Sequence, residues 1–209
     1  MAIRKLLTNI LVFCLLVALG VATRWISEAS YPKLSAATAN EPSNLSSIGL
    51  ANFTATTAAG LFAGYFFVPR FAACLVPLAI VVLSNLGLPK YNNRWEMGIA
   101  IAMLVLPIVL GWFLQRRSNW LRIFGFAATP AILFYLVTDF VLWPGNDLYP
   151  HTFSGQIDSY VAAFPFLRNM LLGDLFFSGL IFGVHRWAAS QGEAIEQKPQ
   201  LAPAPAVRE

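Results

Sequence analysis

Apolar residues fall into six long blocks divided by polar breaks: 6–23, roughly 48–67, 71–88, 97–114, 123–141 and 166–184. Each approaches the ~20 predominantly apolar residues that a helix needs to cross a bilayer. The pattern predicts an all-α integral membrane protein, a bundle of six transmembrane helices occupying residues 1–187. The second block is the weakest, rich in threonine, and only "VPR" separates it from the third. Two breaks are long. Residues 24–47 are rich in Ser, Ala and Asn, and residues 144–165 are too polar to span. The second half of the latter is expected to form a short interfacial helix that ends near Pro165. Beyond Trp187, residues 188–209 lack apolar content and are expected to be a disordered tail.

Composition supports this class. Hydrophobic residues make up 57% of the chain and charged residues 11%, against about a quarter charged in soluble domains. Mean hydropathy is +0.63. All six tryptophans (Trp25, Trp95, Trp112, Trp120, Trp143, Trp187) lie near a proposed span end, where an indole is half buried and its N–H stays wet. The net charge of +4 is small, and no basic run alternates with aromatics, so nucleic acid is not an expected partner. Cys14 and Cys74 both sit in apolar runs and predict no disulfide framework.

Lysine and arginine set the orientation. With six spans, Arg4, Lys5, Arg70, Arg116, Arg117, Arg122, Arg186, Lys198 and Arg208 share one side. Arg24, Lys33, Lys90, Arg94 and Arg168 share the other. The positive-inside rule then places both termini in the cytoplasm, in a multi-pass protein of the plasma (inner) membrane. A second reading of the first block is a secretory signal, because Arg4 and Lys5 precede an apolar stretch and "GVA" precedes Thr23. Mass spectrometry of the mature N-terminus separates the two.

The sixth block carries Arg168, Asn169 and Asp174 within "FLRNMLLGDLFF". Charged groups in hydrocarbon cost on the order of 3 kcal/mol or more and usually mark a site or find a partner. Asp174 lies about 9 Å deeper than Arg168 and points roughly 120° away from it, so the two are no intrahelical pair. Asp139, near the outer end of the fifth block, is expected at the depth of Arg168 and is its candidate partner. Asn52 and Thr54, with Thr56 and Thr57, are expected in the outer half of the second span, level with Asp174. Asn85 ends the third. Together, Asn52, Thr54, Asn85, Asp139, Arg168, Asn169 and Asp174 predict an outward-opening polar cavity that binds substrate. Arg168 would hold an anionic group or position Asp139, and the others would supply hydrogen bonds. Tyr149 and His151 in the outer loop, with Asp158 and Tyr160, are candidate lid residues. The bland alternative is a set of structural staples, with Arg168 snorkelling to the interface.

Small residues four apart, Ala18/Ala22, Gly60/Gly64 and Gly179/Gly183, let helices approach closely. Pro77, Pro107 and Pro130 lie inside spans. The chain has no Walker lysine motif, no HExxH, no Cys/His cluster and no GxSxG. No enzyme activity, cofactor or metal is expected.

Several segments carry a resemblance: "ATRW", "ANFTATTAAGLFAGYFF", "LVPLAIVVLSN", "FYLVTDFVLW", "LYPHTFSG" and "YVAAFPFLRNMLLGDLFFSGLIFG". Across residues 22–185 the chain resembles an uncharacterised family of bacterial putative transport proteins. That family is itself similar to the substrate-binding S components of energy-coupling factor transporters. It tends to have proline where this chain has Ala55, and often aspartate where it has Asn85. The resemblance implies an S-component-like bundle that binds a vitamin-like or other small polar nutrient for uptake. It also implies that Ala18 and Ala22 form part of a docking face for a transmembrane coupling protein, with ATP hydrolysed by separate ATPase subunits. Two rivals remain: an intramembrane enzyme using Asp174 as acid or base, and an accessory membrane subunit without a ligand.

Overall fold

The computed structural model describes residues 2–30, 49–68, 70–87, 94–145 and 149–196. Its regular structure is helical throughout, with six α-helices among the described residues: α1 (Ala2–Glu28), α2 (Thr56–Phe66), α3 (Arg70–Ser84), α4 (Arg94–Leu114), α5 (Trp120–Leu142) and α6 (Phe153–Glu196). A short 3-10 turn, Trp143–Gly145, follows α5. By length and composition α1, α5 and α6 can each cross a membrane, while α3 and the second part of α4 are shorter apolar helices.

The weakest block of the sequence supplies the centre of the bundle. Helix α2 touches each of the other five helices, and Thr56, Ala58, Ala59, Gly60, Leu61, Phe62, Ala63 and Gly64 are all buried in it. Small residues make this possible. A Cβ on Gly64 would overlap the Ile108 carbonyl of α4, and one on Gly111 of α4 would overlap the Leu61 carbonyl of α2. The two backbones are in contact, as small-residue interfaces allow. Gln115, just past α4, fastens the same seam by donating to the Gly64 carbonyl at 2.9 Å and the Tyr65 carbonyl at 3.2 Å. The outside of the bundle is apolar. Leu6, Leu7, Leu11 and Leu15 of α1, Leu78 and Val82 of α3, and Phe140 of α5 are exposed, which in a soluble monomer would be an unusually large apolar surface.

Three boundaries differ from the sequence expectation. The second span was expected as a helix over roughly 48–67, but only Thr56–Phe66 is helical. At 1.5 Å per residue that is about 16 Å, half a bilayer core. Residues 49–55 form turns and irregular backbone instead, with Gly49 at φ 55° and Asn52 at φ 63°. Glycine and asparagine are the residues that take this left-handed conformation most readily. Pro165 does not end a separate interfacial helix, because α6 runs through it for 44 residues. The N-terminus of α6 is closed by Thr152, whose hydroxyl accepts from the Gly155 N–H at 3.2 Å. Neighbouring helices sustain a proline-containing helix in a bundle where an isolated helix would break. Finally, α6 continues to Glu196, past Trp187. Residues 197–209 of the expected tail lie outside the described residues.

Candidate functional site: a clamped segment and an adjoining cavity

The irregular segment 49–55 is held from two sides. From α1, the Ser27 hydroxyl accepts from the Asn52 N–H at 2.8 Å, and the Thr23 hydroxyl accepts from the Ala55 N–H at 3.0 Å. Thr23 itself donates back to the Leu19 or Gly20 carbonyl. Thr23 and Ser27 are four apart, so they share one helix face. From α6, the Asn169 amide donates to the Gly49 carbonyl at 3.1 Å and the Ala51 carbonyl at 3.0 Å. One turn on, a Cβ at Gly173 would crowd Thr54 N and Phe53 Cα. A further turn on, Phe177 meets the Phe53 ring at 5.3 Å. Asn169, Gly173 and Phe177 form a stripe at helical spacing that reads, in order, as donor, gap and ring.

Asp174 lies beside this stripe, 3% exposed. The Thr57 hydroxyl of the first turn of α2 is within hydrogen-bonding reach of its carboxyl. A helix N-terminus carries partial positive charge and favours such a group. The N-cap of α2 is Ala55, which has no side-chain acceptor. Asp174 Oδ2, Ser178 Oγ and Thr56 Oγ1 are buried without a hydrogen-bond partner among the described residues.

A cavity of about 260 Å³ opens between α5 and α6. Its walls are Phe134, Tyr135, Thr138 and Asp139 from α5, Ala163, Phe166, Leu167 and Met170 from α6, and Asn52 from the clamped segment. Tyr135, Thr138 and Asp139 are three and four apart and therefore share a face. Two tyrosines staple the helices around it. Tyr135 Oη donates to the Tyr160 carbonyl at 2.8 Å, and Tyr160 Oη donates to the Leu136 carbonyl at 2.8 Å. Asp139 Oδ1 accepts from Ser159 Oγ at 3.1 Å. Thr138 Oγ1 is buried without a partner among the described residues.

The residues singled out in the sequence therefore separate into groups. Asn52 and Asp139 line the cavity. Asn169 and Thr54 belong to the clamp, and Asp174 is packed against α2; none of the three is among the cavity walls. Asn85 lies elsewhere, at the end of α3, where it accepts from Arg24 Nη2 at 3.3 Å; the neighbouring Trp25 indole donates to the Ser84 carbonyl at 3.2 Å. The expected Arg168–Asp139 pair does not form. Arg168 is exposed and, among the described residues, donates to Asn169 Oδ1 at 3.4 Å. The reason is rotational: consecutive helix residues point about 100° apart, so with Asn169 facing the clamp Arg168 faces outward. His151 is exposed and meets Trp143 edge-to-face at 5.7 Å, and Tyr149 is half-buried. Ala18 and Ala22 lie on the exposed side of α1. Sequence reasoning overlooked Thr23, Ser27, Tyr135, Thr138 and Ser159. The i, i+4 spacing of the first two and the i, i+3, i+4 spacing of Tyr135, Thr138 and Asp139 were the available signals. No group of three His, Cys, Asp or Glu that could hold a metal ion occurs among the described residues.

No curated protein and no solved structure matches the chain. One family does, over residues 4–198, nearly the whole length. The chain belongs to that family, a family of unknown function designated DUF6580.

Proposed function

We propose that this is a multi-pass protein of the plasma (inner) membrane, with six embedded helices and both termini cytoplasmic, that binds a small polar solute in the α5–α6 cavity for uptake. The observation that carries the reading is the cavity itself. Its walls are mainly apolar but include a carboxylate, a phenol, an unpartnered buried hydroxyl and an amide. Ligand sites in proteins have this composition: apolar walls and a few convergent polar groups. At about 260 Å³ it falls just under the ~300 Å³ at which pockets for drug-sized ligands begin, so the solute is small. The half-length α2, preceded by irregular backbone, also matches how transporters build sites near broken helices. Uptake driven through a coupling protein and ATPase subunits, with Ala18 and Ala22 on the docking face, is the version of this reading that the sequence resemblance favours.

Purified full-length protein, screened by thermal melting against vitamins, amino acids and other small polar compounds, tests the proposal. A ligand at a hundred times its Kd adds about 2.7 kcal/mol of stability by mass action, which a melt resolves. A compound that stabilises the protein should also accumulate unchanged in vesicles containing it. Chemical conversion that disappears in Asp174→Asn would instead identify an enzyme. A broad screen without any shift would identify a subunit without a ligand.

A further inference from the structure

We propose that the solute taken by the α5–α6 cavity is a small organic cation, an amine whose ammonium group meets the Asp139 carboxylate. This rests on the reading of the cavity as a binding site. Three features of the walls point the same way.

The first is charge. Among the described lining residues Asp139 and Tyr135 are the ionisable ones, and no Lys, Arg or His joins them. Its recorded hydrogen bond is to the neutral Ser159 hydroxyl, and the candidate counter-charge, Arg168, is turned to the exterior. A carboxylate in a low-dielectric wall is costly unless it meets a cation. An anionic solute would add a second negative charge to the same space.

The second is the balance of donors and acceptors. The Tyr135 proton is committed to the Tyr160 carbonyl and the Ser159 proton to Asp139. What these groups still offer the cavity is lone pairs: the remaining carboxylate capacity and the Tyr135 oxygen. Thr138 Oγ1, which has no partner among the described residues, can accept or donate. A solute that complements the Asp139 and Tyr135 oxygens must bring donors, and an ammonium group brings three without an acceptor. The third is the aromatic content. Phe134, Tyr135 and Phe166 line the same small volume, and aromatic faces attract cations, most strongly where water is excluded.

The experiment uses full-length protein in a neutral detergent and titrates four probes of similar size: benzylamine, cyclohexylamine, benzyl alcohol and benzoate. Binding is read by calorimetry and by the shift in melting temperature. The expected result is saturable binding of benzylamine and cyclohexylamine. Benzyl alcohol should bind about tenfold or more weakly, and benzoate not at all. Asp139→Asn should weaken the amine by about tenfold or more, the value of a hydrogen bond to a charged group. Glu28→Gln removes a carboxylate of α1 outside the cavity and should leave amine affinity unchanged. Ala163→Leu fills the cavity from α6 and should weaken every probe; it also serves if Asp139→Asn does not fold. If benzyl alcohol or benzoate binds as well as benzylamine and Ala163→Leu abolishes that binding, the cationic class is overturned and the binding site stands. If amine binding ignores both Asp139→Asn and Ala163→Leu, or no probe binds, the proposal is overturned. Binding that ignores Ala163→Leu would also remove this cavity as the site.

Discussion

Asn169 and Arg168 are neighbours, and they make opposite predictions. Placing a full charge in a membrane helix ordinarily marks the charged residue as the important one. The structure reverses that order. Arg168 is exposed and its recorded partner is the adjacent Asn169. Asn169 is 5% exposed and supplies two hydrogen bonds to backbone carbonyls of the 49–55 segment. Asn169→Ala deletes both donors. Carbonyls left unpaired in a buried site cost about 1–3 kcal/mol each. Hydrogen bonds within membrane bundles measure nearer 0.6 kcal/mol, because the unfolded chain in the membrane also finds partners. For two bonds these bracket the loss at about 1–6 kcal/mol. Asn169→Asp should cost at least as much despite its near-identical size, since carboxylate oxygens would face carbonyl oxygens. Arg168→Gln should stay within about 0.5 kcal/mol, the usual range for a surface change. Reversible unfolding of each variant in mixed micelles measures these differences. Limited proteolysis between residues 49 and 55 reports whether the segment itself is released. If Arg168→Gln costs more than Asn169→Ala, the clamp has been misread and the charge is the structural element.

Three further outcomes follow from the packing. Gly64→Val must push a side chain into the Ile108 backbone and should cost several-fold more than the ~1–3 kcal/mol typical of overpacking. Gly125→Ala of α5, with open space around it, should stabilise the protein by up to about 1 kcal/mol through helix propensity; thermal melts of both variants check the contrast. Thr23→Val keeps the shape but leaves the Ala55 N–H without its acceptor, a loss of about 1–3 kcal/mol, whereas Thr8→Val on the exposed face of α1 should be silent by the same unfolding assay. Tyr135→Phe and Tyr160→Phe each remove one half of the reciprocal staple between α5 and α6; a double-mutant cycle should show them coupled by about 0.5 kcal/mol or more, and strict additivity would mean the two bonds act independently.

The helices were legible because apolar blocks of membrane length leave little freedom in their identity. The second block misled because its outer part looks like the start of a helix when read locally. What prevents the helix is distant: Thr23 and Ser27 in α1 and Asn169 in α6 offer the backbone of residues 49–55 partners outside any helix. Only Gly49 and Asn52, residues that tolerate positive φ, carried a local trace of the break. Pro165 misled for the converse reason, since rules for proline in isolated helices do not count the support of packed neighbours. Among the polar residues, position along a helix was readable, but azimuth relative to the other helices was not. Asp139 could be assigned to a face with Tyr135 and Thr138, whereas which way Arg168 and Asn169 turned depended on where the rest of the bundle lay.

Irregular backbone is tolerated deep in a bundle only where its polar groups are satisfied by protein, and the 49–55 segment can be followed group by group. Its Gly49 and Ala51 carbonyls go to Asn169, and its Asn52 and Ala55 N–H groups go to Ser27 and Thr23. The Phe53 N–H closes a turn on the Leu50 carbonyl. Thr23 and Ser27 of α1 and Asn169 of α6 are thereby consumed in holding the chain. Thr138 and Asp139 of α5 are not: Thr138 has no partner among the described residues, Asp139 has a neutral one, and both line the cavity between α5 and α6. Asn52 connects the two regions, because its backbone is clamped while its residue forms part of the cavity wall. A solute seated against Asp139 and Asn52 would therefore bridge α5 to a segment already tied to α1 and α6. If a solute is taken there, its chemical selectivity would rest on α5, while Asp174 packs, buried, at the head of α2.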